Sequence, residues 1–196
     1  MAPLKKEARR RSAHRRGAAA GVTKPRHRNV DRVRLLVVVD ASEASRRVLR
    51  YVGRILANRA AIDCHLAYIA SHLPPELLES GGSELPEREE QIESDMREEQ
   101  RRWTVMIDKK AEQILRSARA TLQRAGVAAA RIHTCVSSPL DAGRAVDDVL
   151  LLARDQGCRT VVVGHRAHTW FRGLGGGHLA EQLVRNGKGF VVWVVD

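Results

Sequence analysis

VVVGHRAHTWFRGLGGGHL, residues 161–179, packs the signals of a strand, a loop and a helix start into one short stretch. Val161, Val162 and Val163 are β-branched and contiguous, as in a strand covered on both faces. The run breaks at Gly164, crosses a loop holding Gly173, Gly175, Gly176 and Gly177, and resumes a helical pattern at Leu179. Strand, glycine loop and helix N-terminus together form a common anion-binding device. Glycine lets the backbone approach a phosphate, and the helix start offers unpaired N–H groups at a positive dipole end. Glycine content alone fits a ligand-free loop equally well, so the rest of the chain has to decide.

The same strand–helix alternation runs outward from this stretch. Val33 to Val39 (VRLLVVV) reads as a doubly covered strand ending at Asp40, with Ser42 as N-cap of a helix carrying Ala44, Val48, Val52, Ile55 and Leu56. Asp40 has two compatible readings: a carboxylate that stabilises the following helix N-terminus, and a ligand contact. Ile62 to Ala70 is a second strand, in which His65 is read as a surface or strand-end residue. Residues 71–86 carry Pro74, Pro75, Gly81, Gly82 and Pro86 and read as a loop. One long helix follows from Glu87 to about Ala125, charged in its first part and striped by Ile92, Met96, Trp103, Ile107, Ala111, Ile114, Ala118 and Leu122. Its charged overhang is a solvated face or a partner surface. Gly126 suits the position after its end. Arg131 to Val136 is a third strand. Ser138 and Pro139 open a third helix that Gly157 closes, Thr160 to Val163 is the fourth strand, and Phe190 to Val195 the last.

This β-α-β-α-β-α-β-α-β order predicts an α/β fold: a five-stranded parallel, doubly wound sheet with right-handed crossovers. Ligands on such sheets bind beyond the strand C-termini at the switch point. Asp40 and Gly164 each end a strand on that edge.

Composition bounds the rest. Aromatics are 4% of the 196 residues, so the core must be built from Val, Leu, Ile and Ala. The net charge is +11, but residues 1–30 contain ten Lys or Arg against one acid, Glu7. That segment lacks an apolar face and is expected to be a disordered basic tail ahead of a domain over 31–196. It reads as an inert extension, an arm that touches nucleic acid or anionic lipid, or a transit segment without an apolar face. Cys64, Cys135 and Cys158 show no C-x-x-C spacing, which suits reduced thiols in the cytoplasm. No apolar run is long enough for a membrane span and no secretory h-region follows the N-terminus, so a cytoplasmic protein is expected.

From residue 31 to 196 the chain resembles the universal stress protein family. VVVDASEASRRVLRYV resembles that family's first strand, aspartate and first helix. Its nucleotide motif is Gly, two residues, Gly, nine residues, then Gly followed by Ser or Thr. It is matched in spacing by Gly164, Ala167, Gly177 and His178, followed by LAEQLV, and FVVWVV resembles the closing strand. The resemblance implies strand order 3-2-1-4-5 with helices on both faces. It implies ATP or another adenine nucleotide as a regulatory ligand, with Asp40 and Ile69 at the adenine. It also implies a phosphate site around Val163, Gly164, Ala167, Gly177, His178 and Leu179, and a homodimer through Phe190 to Val195. Ala167 stands in place of the second glycine, which costs on the order of 1 kcal/mol where φ > 0 is needed. His178 stands in place of the hydroxyl residue, whose lost hydrogen bond is worth about tenfold in affinity.

Other chemistries find less support. His165, His168 and His178 could be proposed as metal ligands, but no Cys, Asp or Glu lies between them, and no metal is required. Arg166 and Arg172 fit a triphosphate or solvent. No G-x-S-x-G elbow or P-loop occurs, and no catalytic residue stands out, so a binding protein rather than an enzyme is expected. The alternative function is a protein-interaction module without nucleotide, with nucleic-acid contact through the tail.

Overall fold

The computed structural model describes residues 32–70, 74–78, 86–137, 145–165 and 179–196. The elements are β1 (Val33–Val38), α1 (Glu43–Ala57), β2 (Ile62–Ile69), α2 (Pro86–Arg124), β3 (Ile132–Ser137), α3 (Ala145–Asp155), β4 (Thr160–Gly164), α4 (Leu179–Asn186) and β5 (Val191–Val195), with short 3-10 turns at Pro75–Leu77 and Ala129–Arg131. All strand pairs are parallel and the order is β3-β2-β1-β4-β5. Residues 1–31, which hold the basic tail, and the Ser138–Pro139 helix start lie outside the described residues.

The unbroken apolar run of β1 follows from its central place. Successive side chains point to opposite faces. Leu35, Val37 and Val39 enter one core with Val48, Val52 and Leu56 of α1 and Ile107, Ala111, Leu115, Ala118 and Leu122 of α2. Leu36 and Val38 enter a second core with Val149 and Ala153 of α3 and Leu179 and Leu183 of α4. Helices therefore cover both faces.

The helix ends are set by local chemistry. Ser42 accepts a hydrogen bond from the Ser45 N–H and caps α1. α2 closes at Gly126, φ +92°, where Gly126 N donates to Gln123 O and Val127 N to Leu122 O. α3 closes the same way at Gly157, φ +65°, through Arg154 O and Ala153 O. Both are the paired-bond C-cap that a left-handed residue permits.

The 39 residues of α2 divide into two parts. From Ile107 onward one face is buried; Leu115 belongs to it, though the stripe read from the sequence passed through Ile114. Ile92 and Met96 are half-buried and outside both cores, and the overhang is laced by Arg97–Glu93 (2.7 Å) and Arg102–Glu98 (3.1 Å). Trp103 rests partly on the first core, and Gln100 Nε2 donates to Leu77 O, tying the 3-10 turn to the helix.

Several further expectations shift: β2 ends at Ile69 rather than Ala70, and β3 runs from Ile132 to Ser137, with Arg131 in the preceding 3-10 turn. β1 stops at Val38, while Val39 N still donates to Ala67 O. β5 starts at Val191, because Phe190 N is used in a turn to Gly187 O beside Gly189 at φ +87°. His65 is not a surface residue: it is buried, stacked on His133 with ring centroids 4.7 Å apart, and its Nδ1 lies 3.2 Å from Gln156 Oε1. Burial first, then the His133 ring, lowers its pKa. Stability at His65 is therefore present above the ordinary value of 6.5 and lost as the pH falls below it.

Gly53 of α1 packs against the C-terminal end of α2, where a Cβ would lie 2.8 Å from Ala125 Cβ. Gly53→Ala gains roughly 1 kcal/mol of helix propensity but overpacks the contact at about 1–3 kcal/mol. Urea unfolding should show a lower midpoint for Gly53→Ala and recovery of most of it in Gly53→Ala/Ala125→Gly. A single variant as stable as the parent would mean that the helices slide apart freely.

Candidate functional site

The site is built where β1 and β4 release the chain in opposite directions. β1 passes to α1 on one face and β4 leads to α4 on the other. Neighbouring strands whose crossovers part in this way leave a crevice at their C-terminal edge.

Asp40 stands on that edge, half-buried, in a closed ring of hydrogen bonds. Its Oδ1 accepts from Ser42 N at 2.9 Å and from Ser42 Oγ. Ser42 Oγ accepts from Ser45 N at 3.1 Å, and the buried Ser45 Oγ accepts from Asp40 N at 3.0 Å. DASEAS thus folds one carboxylate and two hydroxyls into a rigid turn that caps α1 and fixes the Asp40 side chain. Tyr68, also buried, reaches the same neighbourhood; burial and then the Asp40 charge raise its phenol pKa. Tyr68 is not among the site residues expected from the sequence. Its phenol beside the C-terminal end of the strand was the available signal.

Ile69 contributes differently from Asp40. Its side chain is fully buried in the second core, so only its main chain can serve a ligand. Ala67 O accepts from Val39 N on the β1 side, and Ala70 N donates to Ser137 O on the β3 side. Strand alternation turns the Ile69 main-chain groups to the side of Ala67, where β1 has already ended.

Gly164 closes β4 against α1. A Cβ there would lie 3.1 Å from Ala44 Cβ and 3.3 Å from the Ala44 carbonyl carbon. The glycine is needed for the strand end and the first turn of α1 to touch, whatever occupies the crevice. Val163 and Leu179 are buried in the second core and shape the site from beneath. Ala167, Gly177 and His178, with Arg166, His168 and Arg172, lie outside the described residues. The structure thus brings together Asp40, Ile69 and Gly164 from the sequence-derived set and adds Tyr68. His165 N donates to Val195 O at 2.8 Å, and its Nδ1 lies 3.8 Å from Asp196 Oδ1. Among the described residues no three His, Cys, Asp or Glu are grouped to hold a metal ion.

A sequence model of the universal stress protein family matches residues 32–195. The chain belongs to the universal stress protein family. Solved members share its fold at low identity. A universal stress protein from Archaeoglobus fulgidus is 17% identical, with 84% of this chain and 93% of that one covered and a TM-score of 0.51. One from the same organism in complex with dAMP is 14% identical, covering 84% and 98%, at a TM-score of 0.50. A universal stress protein in complex with cAMP is 19% identical, covering 84% and 97%, at 0.52. No functionally curated protein is detectably similar in sequence. No described helix of this family member is long and apolar enough to cross a membrane.

The thiols take no part in the crevice. Burial pushes Cys64 up to about 12, Cys158 to about 12 and Cys135 to about 11. At neutral pH none is a thiolate, the reactive form. Iodoacetamide at pH 7.5 should leave Cys64 and Cys158 unlabelled in the native protein and label all three in urea, read by mass spectrometry. Native labelling of Cys64 at the rate of free cysteine would contradict this burial.

Gly164→Ala should lower the unfolding midpoint by an amount equivalent to about 1–3 kcal/mol, because the backbone of α1 has to give way. An unchanged midpoint would show that the Ala44 contact is not a constraint.

Proposed function

We propose that this universal stress protein binds an adenine nucleotide, ATP included, as a regulatory ligand at the C-terminal edge of β1 and β4. The observation that carries the reading is Asp40. Its carboxylate is fixed by Ser42 and Ser45 beside the unladdered main chain of Ile69, before any ligand arrives. A preset acceptor and main-chain donor and acceptor groups suit the edge of a purine, since ordering them at the moment of binding costs little. The solved relatives in complex with dAMP and cAMP support the ligand class. Phosphates would fall to Gly164, Gly177, the His178 N–H and the start of α4, with metal not required.

We assign no catalytic residue: the ring of Asp40, Ser42 and Ser45 is consumed in capping, and the thiols are protonated. A homodimer through β5 fits the same reading. β5 is a sheet edge, Val191 is 55% and Val194 42% exposed, and an apolar edge strand invites pairing. A second reading, an interaction module without nucleotide, is favoured by Ala167 and His178 alone.

Nucleotide released on denaturing the purified protein should approach one per chain on ion-exchange chromatography. Asp40→Asn keeps the acceptor for Ser42 N and loses the charge; it should weaken ATP about tenfold by calorimetry, or about 1.4 kcal/mol. Ala167→Gly/His178→Ser should strengthen it by a similar factor. Binding seen only in that double variant would establish the interaction-module reading instead.

A further inference from the structure

A second cleft, of about 820 Å³, lies on the outer side of α1 and α2 and only touches Asp40 at one end. Arg46 and Arg50 face it from α1, and Lys110, Ser117, Thr121 and Arg124 from α2. The α2 positions recur every three, four or seven residues and so share one face, spanning about 21 Å of helix. Arg124 is ordered by its own helix: Nε donates to Ala120 O at 3.3 Å, and Nη2 to Thr121 Oγ1 at 3.2 Å. Glu43 pairs with Arg46 at 2.8 Å and Arg50 at 3.4 Å. These side chains are more than half exposed, and an exposed pair of this kind is readily exchanged for a stronger anion. With Asp40 and Glu43 counted against them, the four cations still leave the cleft positive.

We infer that this cleft is a binding groove for a single-stranded nucleic acid, held by its phosphates. A line of cations interleaved with neutral donors suits a backbone of evenly repeated charge. Leu49, Ile114 and Ala118 line the cleft between the cations, an apolar surface that the unstacked bases of a single strand can cover and the stacked bases of a duplex cannot. An acidic peptide would need anchor pockets for affinity, and a floor of small and aliphatic side chains offers no aromatic one. The charge of residues 1–30 is of the same sign as that of the groove. It does not depend on nucleotide in the crevice.

The test uses the full chain and a fluorescein-labelled oligodeoxythymidine, followed by anisotropy across a salt series. Arg50→Gln/Lys110→Gln/Arg124→Gln removes three groove charges; Arg88→Gln/Arg97→Gln/Arg101→Gln removes three from the α2 overhang. The groove variant should lose at least tenfold in affinity at about 0.1 M salt and reduce the log–log salt slope by about 2, while the overhang variant stays within twofold. Ser117→Glu keeps every cation and should give a comparable loss, with an unchanged melting temperature showing that the fold is intact. Equal losses in the two triple variants would overturn the proposal. So would unchanged binding in the groove variant, or displacement of the oligonucleotide by polyglutamate of equal charge at equal concentration.

Discussion

β1 is covered on both faces, and that burial governs everything at the crevice. Leu35 and Val37 are committed to one core, Leu36 and Val38 to the other, so no polar side chain can sit on the strand from Leu35 onward. Function has to begin at the first residue that leaves the sheet. Asp40 is that residue, and it is also asked to start α1. The ring through Ser42 and Ser45 meets both demands at once: it satisfies the Ser45 N–H in the first turn of the helix and immobilises the carboxylate. Gly164 answers the same constraint from β4, since only a residue without a side chain lets that strand end against Ala44. The crevice is thus a by-product of how tightly the first turn of α1 is drawn onto the sheet.

What was legible in the sequence is what is encoded locally. The first strand, the Ser42 cap and the terminating Gly126 and Gly157 each depend on a few neighbouring residues, and the structure has them where the pattern places them, save that the strand stops one residue early, at Val38. Strand order is different in kind. Alternation implies a parallel sheet but not which strands touch, and 3-2-1-4-5 entered only with the family resemblance. The residues misread share a single cause. His65 lies on a strand whose alternation distinguishes two faces without saying that Gln156 and His133 will close over one of them. Tyr68 feels the Asp40 charge because Val38 pairs with Ala67, a register that no local pattern specifies. Leu115 and Ile114 differ by 100° around α2, and the packing angle of the helix decides between them.

The charge of the chain is partitioned, and each part obeys a different rule. The basic excess of residues 1–30 is a matter of composition. On the overhang of α2 the charges cancel in i,i+4 pairs such as Glu93–Arg97, which suits a face left in water. Between α1 and α2 they cancel only in part: Glu43 pairs with Arg46 and Arg50, while Lys110 and Arg124 join them from the second helix through packing. Net charge alone points to residues 1–30; the packing of α1 against α2 gathers four more cations along one cleft.

The two candidate sites meet at Asp40, and this has a mechanical consequence. One end of the groove is lined by Asp40 and Ala41, the turn that also carries the crevice carboxylate. The other end is pinned by Gly53 on Ala125, where the helices cannot approach further. α1 is therefore held at Gly164 on its sheet side and at Ala125 on its outer side, with buried Val48 and Val52 between. An anion drawn between Arg50 and Lys110 would pull the two helices together against that lower contact. Any yielding would have to come from the Asp40 end, since close-packed interiors pass strain on rather than absorb it. If both sites are used, their coupling should run through the first turn of α1, and it would be reciprocal: a nucleotide that stiffens the Asp40 turn would alter the affinity of the groove by the same factor by which the groove's ligand alters that of the crevice.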